Sequence, residues 1–157
     1  MLMNYRIANN QDASKLKQLF MKVEAAVSNK AMFLWPNDMI DREIVESLFY
    51  VAESNENQDI VAFISFRMSE TDQGDVIDII SLGTLPKLQG KGIMTEMLQS
   101  FARFFGKKST TLFLEVHPDN KNAIKVYNNL GFKVSRVRKS YYSDGKDCLE
   151  MSCQLGG

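Results

Sequence analysis

The chain has 157 residues, 45% of them hydrophobic and 24% charged, which is ordinary globular composition with enough apolar material for one full core. A single domain over 1–157 is therefore expected. Nineteen basic and nineteen acidic residues cancel, so there is no overall field to draw the protein to nucleic acid or to an anionic membrane.

Cys148 and Cys153 lie five apart in one extended run, so their side chains should face opposite sides of a sheet and not bridge. One histidine and no paired Cys or His spacing leave no pattern for a structural zinc site, and no metal is expected. A reduced, cytoplasmic protein fits this usage. The opening "MLMNYRIANN" lacks the apolar run of a signal peptide, and no segment approaches the roughly 20 apolar residues of a membrane span.

Residues 4 to 8 read as a short strand. From Asp12, Leu16, Leu19, Phe20, Val23 and Val27 recur at helical spacing, with Asn10 or Asp12 as the cap. Pro36 breaks that pattern, and Ile40, Ile44 and Leu48 predict a second, shorter helix. Between the helices, Phe33, Leu34 and Trp35 are either folded-back core contacts or the lip of a binding site. Then "FYVAES", "DIVAFISFRM" and "DVIDIISLGTL", separated by "NENQD" and "ETDQG", predict three antiparallel neighbours. A helix from about Gly90 to Phe105 follows, burying Ile93, Met97, Leu98, Phe101 and Phe105. The strand "TTLFLEVH" is apolar at nearly every position, which predicts a central strand covered on both faces. Strand, helix and strand in that order imply a locally parallel pair. Asn120 to Leu130 is a further helix closed by Gly131, and "FKVSRVRKSYY" and "KDCLEMSCQL" flank "SDG" as a terminal hairpin.

The stretch Leu85 to Met94, "LPKLQGKGIM", places two glycines around a lysine before a helix. It is a turn, a helix start or an anion cradle. For the last, glycine lets backbone N–H groups approach a phosphate, and the helix that follows points its positive end at it. Its place, between the carboxyl end of a strand and the amino end of a helix, is where open α/β sheets hold ligands. It is neither a Walker loop nor the three-glycine dinucleotide fingerprint. The N–H groups from about Gln89 to Met94 remain to hold a diphosphate.

In "LEVHPDNKNAIKVYNNLGF", Glu115 lies on a strand whose opposite face carries Leu112, Leu114 and Val116. A carboxylate there is costly unless paired, hydrated or used. Asn120 and Tyr127 are seven apart and share one face of a helix. Each also has a structural explanation, Asn120 as an N-cap and Tyr127 as core.

The order of elements and these two motifs resemble the GNAT superfamily of acyl-CoA N-acyltransferases over essentially the whole chain. "LPKLQGKGI" resembles the pyrophosphate loop Arg/Gln-x-x-Gly-x-Gly/Ala, here Gln89, Gly92 and Met94, with Met94 departing from the usual Gly or Ala. The second motif resembles the segment with a coenzyme-contacting Asn and a Tyr at the thiol end, here Asn120 and Tyr127. In its C-terminal half, through Glu115, Tyr127 and "RKSYYSDGKD", the chain is most similar to the ribosomal-protein alanine N-acetyltransferases.

The resemblance implies an α/β (α+β) domain: a mixed, mostly antiparallel sheet of about seven strands flanked by about four helices, with a parallel pair at the coenzyme site. It implies acetyl-CoA as co-substrate and transfer of the acetyl group to a primary amine, a protein N-terminal amine or a small amine. A coenzyme-binding module without turnover is the other alternative. For the coenzyme it implies Gly83, Thr84, Gln89, Gly90, Lys91, Gly92, Ile93, Met94, Thr95, Asn120, Ala123 and Tyr127. It implies Glu115 as general base and Tyr127 as general acid, with Tyr141 and Tyr142, and Phe33 and Trp35 if they form a lip, at the acceptor. His117 is a lesser candidate for the base. A homodimer is left open.

Overall fold

The computed structural model describes residues 2–30, 40–107 and 109–156. Phe33 and Trp35 lie outside them. Seven strands are described: β1 (Met3–Ile7), β2 (Leu48–Ser54), β3 (Ile60–Thr71), β4 (Gly74–Thr84), β5 (Thr110–Val116), β6 (Lys133–Arg138) and β7 (Cys148–Leu155). Four helices accompany them: α1 (Ala13–Ala26), α2 (Ile40–Glu46), α3 (Ile93–Phe105) and α4 (Lys121–Asn129). The strands form one sheet in the order β1-β2-β3-β4-β5-β7-β6. Its pairs are antiparallel except β4–β5, which α3 joins as a parallel pair. The expected mixed α/β architecture is the one the chain adopts.

Both faces of the sheet are packed. Ile64, Phe66, Ile77, Leu112, Leu114 and Met151 meet Met97, Leu98 and Phe101 of α3 in the larger core. Phe49, Val51 and Phe63 meet Leu16, Leu19, Phe20 and Val23 of α1 and Ile40 of α2 on the other face. Each large apolar side chain buried this way contributes about 1.5–3 kcal/mol.

Four local expectations are corrected. Asp12 does hold the N-cap position of α1 but makes no side-chain cap bond there, and Asn10 plays no part: Asn9 caps the preceding 3-10 turn, accepting from the Gln11 N–H at 2.9 Å while its own N–H donates to Asp12. The Asp12 carboxylate is drawn instead to the guanidinium of Arg6, at 2.7 and 2.9 Å, a charge-assisted fork stronger than a cap bond. Leu48 is the first residue of β2 and not the last turn of a helix; α2 ends at Glu46. Strand β5 is covered on one face only. Leu112, Leu114 and Val116 are buried, while Phe113 is half-buried and Glu115 exposed on the other face, where α1 packs mainly on β3 and β4. Finally β6 stops at Arg138, so Tyr141 and Tyr142 lie in the hairpin loop.

One irregularity positions the site. Strands β3 and β4 pair in step from Thr71↔Gly74 to Phe66↔Ile79, then resume at Ser65↔Ser81, which leaves Ile80 as an extra residue on β4. Such a bulge bends its strand and increases its twist. The parallel pairing of β4 with β5 ends at the same point, Ile79↔Leu114. Beyond Ile80, β4 follows β3 to Thr84 and parts from β5. No helix among the described residues is long and apolar enough to cross a membrane.

Candidate active site

Where β4 leaves β5 a cleft of about 660 Å³ opens. Strand β4 brings Gly83 and Thr84 to it, the loop brings Gln89, Gly90 and Gly92, the first turn of α3 brings Ile93, Met94 and Thr95, and α4 brings Asn120, Ala123 and Tyr127. Of the residues expected at the coenzyme, Lys91 alone stays outside this lining, exposed on the loop.

Local chemistry explains the shape of the loop. Gly90 and Gly92 have φ of 78° and 81°, the left-handed region in which a Cβ is strained. A Cβ at either would meet nothing within 4 Å, so each glycine faces open space. Gly92 is also the N-cap of α3, with the first N–H groups of that 13-residue helix just behind it. The Gln89 amide turns back to the Thr84 carbonyl at 3.1 Å and fastens the loop to the end of β4. Met94 packs against the larger core, which accounts for an apolar residue at that position. Leu85 donates its N–H to the Val61 carbonyl at 2.8 Å. Strand alternation then turns the Thr84 N–H to the opposite edge, the one β5 has left.

On α4, Asn120 does cap the helix, its Oδ1 accepting from the Ala123 N–H at 3.4 Å. Gly131, at φ 94°, closes the other end, as expected. Tyr127 is 5% exposed and packs on Phe132 with ring centroids 5.8 Å apart. Burial raises its pKa, so the hydroxyl keeps its proton throughout the neutral range.

Glu115 belongs to a second cleft of about 430 Å³ on the open face of β5, which it lines together with Asp78, Arg67, Arg138, Tyr141 and Glu150. Two contacts hold it, the Cys148 thiol at 3.6 Å from Oε2 and the ion pair with the Arg138 guanidinium at 3.9 Å from Oε1, and Tyr141 lines the same cleft. The Glu115 carboxylate, with burial behind it, pushes Tyr141 up to about 12. The side chain of Glu115 is nevertheless 30% exposed, so the carboxylate is both paired and reachable. Strand β4 contributes Ile80 to this cleft and Leu82, Gly83 and Thr84 to the first, and so passes from one to the other just past the bulge.

The other two candidates are placed differently. Tyr142 is 5% exposed and lines neither cleft; its hydroxyl donates to Cys148 at 3.8 Å and its ring packs on His117 at 4.7 Å. His117 is 2% exposed, and both ring nitrogens are engaged, Nδ1 by the Asp119 N–H at 3.1 Å and Nε2 by Asp144 at 2.7 Å. It braces the hairpin. The two cysteines are free, as expected.

Sequence reasoning missed the end of α1, where Val23, Ala26 and Val27 line the first cleft. It also missed Asp78, Arg138 and Glu150 in the second. The available signal was a charge interrupting an apolar strand on the same parity as the sheet's open face, as in "DVIDII" and "CLEMSC".

Residues 15–132 match the profile of the Acetyltransferase (GNAT) family, and the chain belongs to that family. A protein from Sulfurisphaera tokodaii named N-alpha-acetyltransferase is 33% identical over 79 residues, 49% of this chain and 47% of the relative. The chain thus spans about half the length of that relative. Among solved structures, the ribosomal-protein-S18-alanine N-acetyltransferase from Escherichia coli shares the fold with a TM-score of 0.77 at 21% identity, over 99% of this chain and 97% of that one. The structure of Arabidopsis thaliana Naa50 with the bisubstrate analogue CoA-Ac-MVNAL shares it with a TM-score of 0.74 at 19% identity, over 99% and 100%.

Proposed function

We propose that the chain is an acetyl-CoA-dependent N-acetyltransferase that passes the acetyl group to a primary amine by direct attack, with a protein N-terminal amine as acceptor. The observation that carries this reading is the parting of β4 from β5 at Ile80, with a glycine cradle and a protonated tyrosine in one cleft and a reachable carboxylate in the next. The donor set fits a diphosphate, since the loop exposes backbone N–H groups at a helix start and leaves empty the space a Cβ would fill. The edge of β4 that β5 has left suits the amides of an extended pantetheine arm. Bound there, acetyl-CoA supplies the activated acyl group.

The chain's own residues do the rest. An amine arriving as ammonium enters a cleft in which Asp78, Glu115 and Glu150 outnumber Arg67 and Arg138. Glu115 takes the proton that makes the nitrogen nucleophilic, directly or through one water. As the C–N bond forms, the Thr84 N–H stabilises charge on the acyl oxygen. As the C–S bond breaks, Tyr127 gives its proton to the sulfur. A peptide α-amine, with a pKa of about 8, offers far more neutral amine at pH near 7.5 than a lysine side chain at about 10.4.

Thiol release from acetyl-CoA tests the reading, run against short peptides with free and blocked N-termini beside polyamines, amino acids and aminoglycosides. Fastest turnover with free N-termini is expected. Faster turnover of small amines would move the acceptor to that class. An acetyl-CoA-dependent rise in melting temperature without any thiol release would leave a coenzyme-binding module.

A further inference from the structure

Asp78 lines the second cleft beside Glu115 but is matched to its surroundings differently. It is the cross-strand neighbour of Arg67 on β3 and pairs in register with Phe113 on β5, two residues before Glu115, which sets the Asp78 and Glu115 Cα atoms about 8 Å apart on one face of the sheet. Of the three carboxylates in the cleft, Glu150 is bound by Arg138 at 3.1 Å and faces Arg136 across the β6–β7 pair, and Glu115 has Arg138 at 3.9 Å. Asp78 makes no hydrogen bond and no ion pair among the described residues. Its neighbour Arg67 gives its guanidinium to both oxygens of Glu43 instead, at 3.2 Å each. Burial, and then the charges of Glu150 and Glu115, raise the Asp78 pKa, as expected of a carboxylate short of a counter-charge. Next to it, the half-buried Phe113 supplies an aromatic floor to the same cleft.

We propose that Asp78 and Phe113 form a subsite for a basic side chain of the acceptor, so that the preferred peptide carries Arg or Lys in its first two residues. The inference rests on the reading of this cleft as the acceptor's. With the reacting amine at Glu115, Asp78 is within the reach of an extended arginine or lysine stem that starts from either of those residues. The stem lies over the Phe113 ring, and the charged head stays in water beside Asp78. An acidic side chain in the same place would meet Asp78 with no cation to offset it, since Arg67 is held by Glu43, and that repulsion is the other half of the selection.

The test compares kcat/KM for peptides with free N-termini that differ at one residue only, Arg, Gln or Glu, placed first, second or fifth. Arginine is used because its guanidinium does not compete as an acetyl acceptor. At one of the first two places Arg should exceed Gln by about fivefold, the upper end for an ion pair within reach of solvent, with Glu slower still. At the fifth, out of reach of Asp78, the three should be alike. In Asp78→Asn the three rates should converge, and in Asp78→Lys their order should reverse, which a merely structural role would not produce. An Arg preference that survives Asp78→Asn, or that is as large at the fifth residue, is diffuse attraction and overturns the proposal. Fluorescence anisotropy of the same peptides, labelled at their C-termini, needs no turnover. A protein that acetylates nothing yet binds the Arg peptides more tightly through Asp78 sinks the proposed activity alone, whereas an active enzyme blind to the first two residues sinks the subsite alone.

Discussion

His117 and Asp144 meet at 2.7 Å, and that bond ties the turn of the terminal hairpin to the end of the strand that carries Glu115. Burial works against ionisation of Asp144, but the Lys146 N–H, the Asn29 amide and His117 outweigh it and bring its pKa down to about 2. A folded-state pKa below the unfolded value means that the carboxylate adds stability above pH 3.8 and loses it as pH falls toward 2. Asp144→Asn should therefore melt below wild type at pH near 6, and the gap should close near pH 2. A gap that persists unchanged at acid pH would show that the ionised form contributes nothing.

Two glycines in the same cleft should fail in different ways. At Gly83 a Cβ would come within 2.9 Å of Val23 Cγ1 and 3.1 Å of Phe63, so Gly83→Val presses α1 away from the sheet and should cost about 1–3 kcal/mol in urea unfolding. At Gly92 there is no such contact, only a left-handed φ of 81°, and Gly92→Ala should cost about 1 kcal/mol. Gly92→Glu should fold yet lose the acetyl-CoA-dependent rise in melting temperature, because its carboxylate projects into space proposed for the diphosphate. Retention of the full rise would place the diphosphate elsewhere.

The fold was legible largely because its elements announce themselves locally. Leu16, Leu19, Phe20 and Val23 recur at helical spacing and are buried as read, and Gly131 closes α4 as read. What was not legible depends on pairing between distant segments. Nothing in "DVIDIISLGTL" marks Ile80 as a bulge, since the extra residue is defined only against Ser65 and Phe66 of β3. Glu115 stood out as a charge in an apolar run. That Glu150 faces it follows only from the insertion of β7 between β5 and β6. The adjacent Tyr141 and Tyr142 looked equivalent, but one turns to the cleft and the other to the core.

That division of the tyrosines is itself testable. Tyr142→Ala removes a buried ring packed on His117 and Tyr141 and should cost about 3–5 kcal/mol, while Tyr142→Phe loses only the bond to Cys148. Tyr141 is 40% exposed, so Tyr141→Phe should leave stability within about 0.5 kcal/mol. It removes a hydroxyl from the cleft that Glu115 lines and should alter turnover. A Tyr141→Phe variant with wild-type kinetics would make that hydroxyl incidental.

The pair Glu115 and Tyr127 carries the chemistry proposed, and the two sit in opposite settings on opposite faces of β5: a solvated carboxylate beside Arg138 and the Cys148 thiol, and a buried hydroxyl that holds its proton. General acid or base catalysis contributes about 10²- to 10⁴-fold, so Glu115→Gln should slow turnover by a factor in that range at saturating acetyl-CoA. It should also remove the acidic limb of the pH profile, since the amide accepts no proton. Because Glu115 lines the second cleft and not the first, the acetyl-CoA-dependent rise in melting temperature should survive. Tyr127→Phe keeps the ring against Phe132 and removes only the proton, so it should fold normally, bind acetyl-CoA and turn over slowly. A leaving group that is a weaker base than an ordinary thiolate depends less on that proton, so a thioester with such a leaving group should react with less loss in Tyr127→Phe. Equal loss with both thioesters would assign Tyr127 to packing, and a fully active Glu115→Gln would remove the base from β5 altogether.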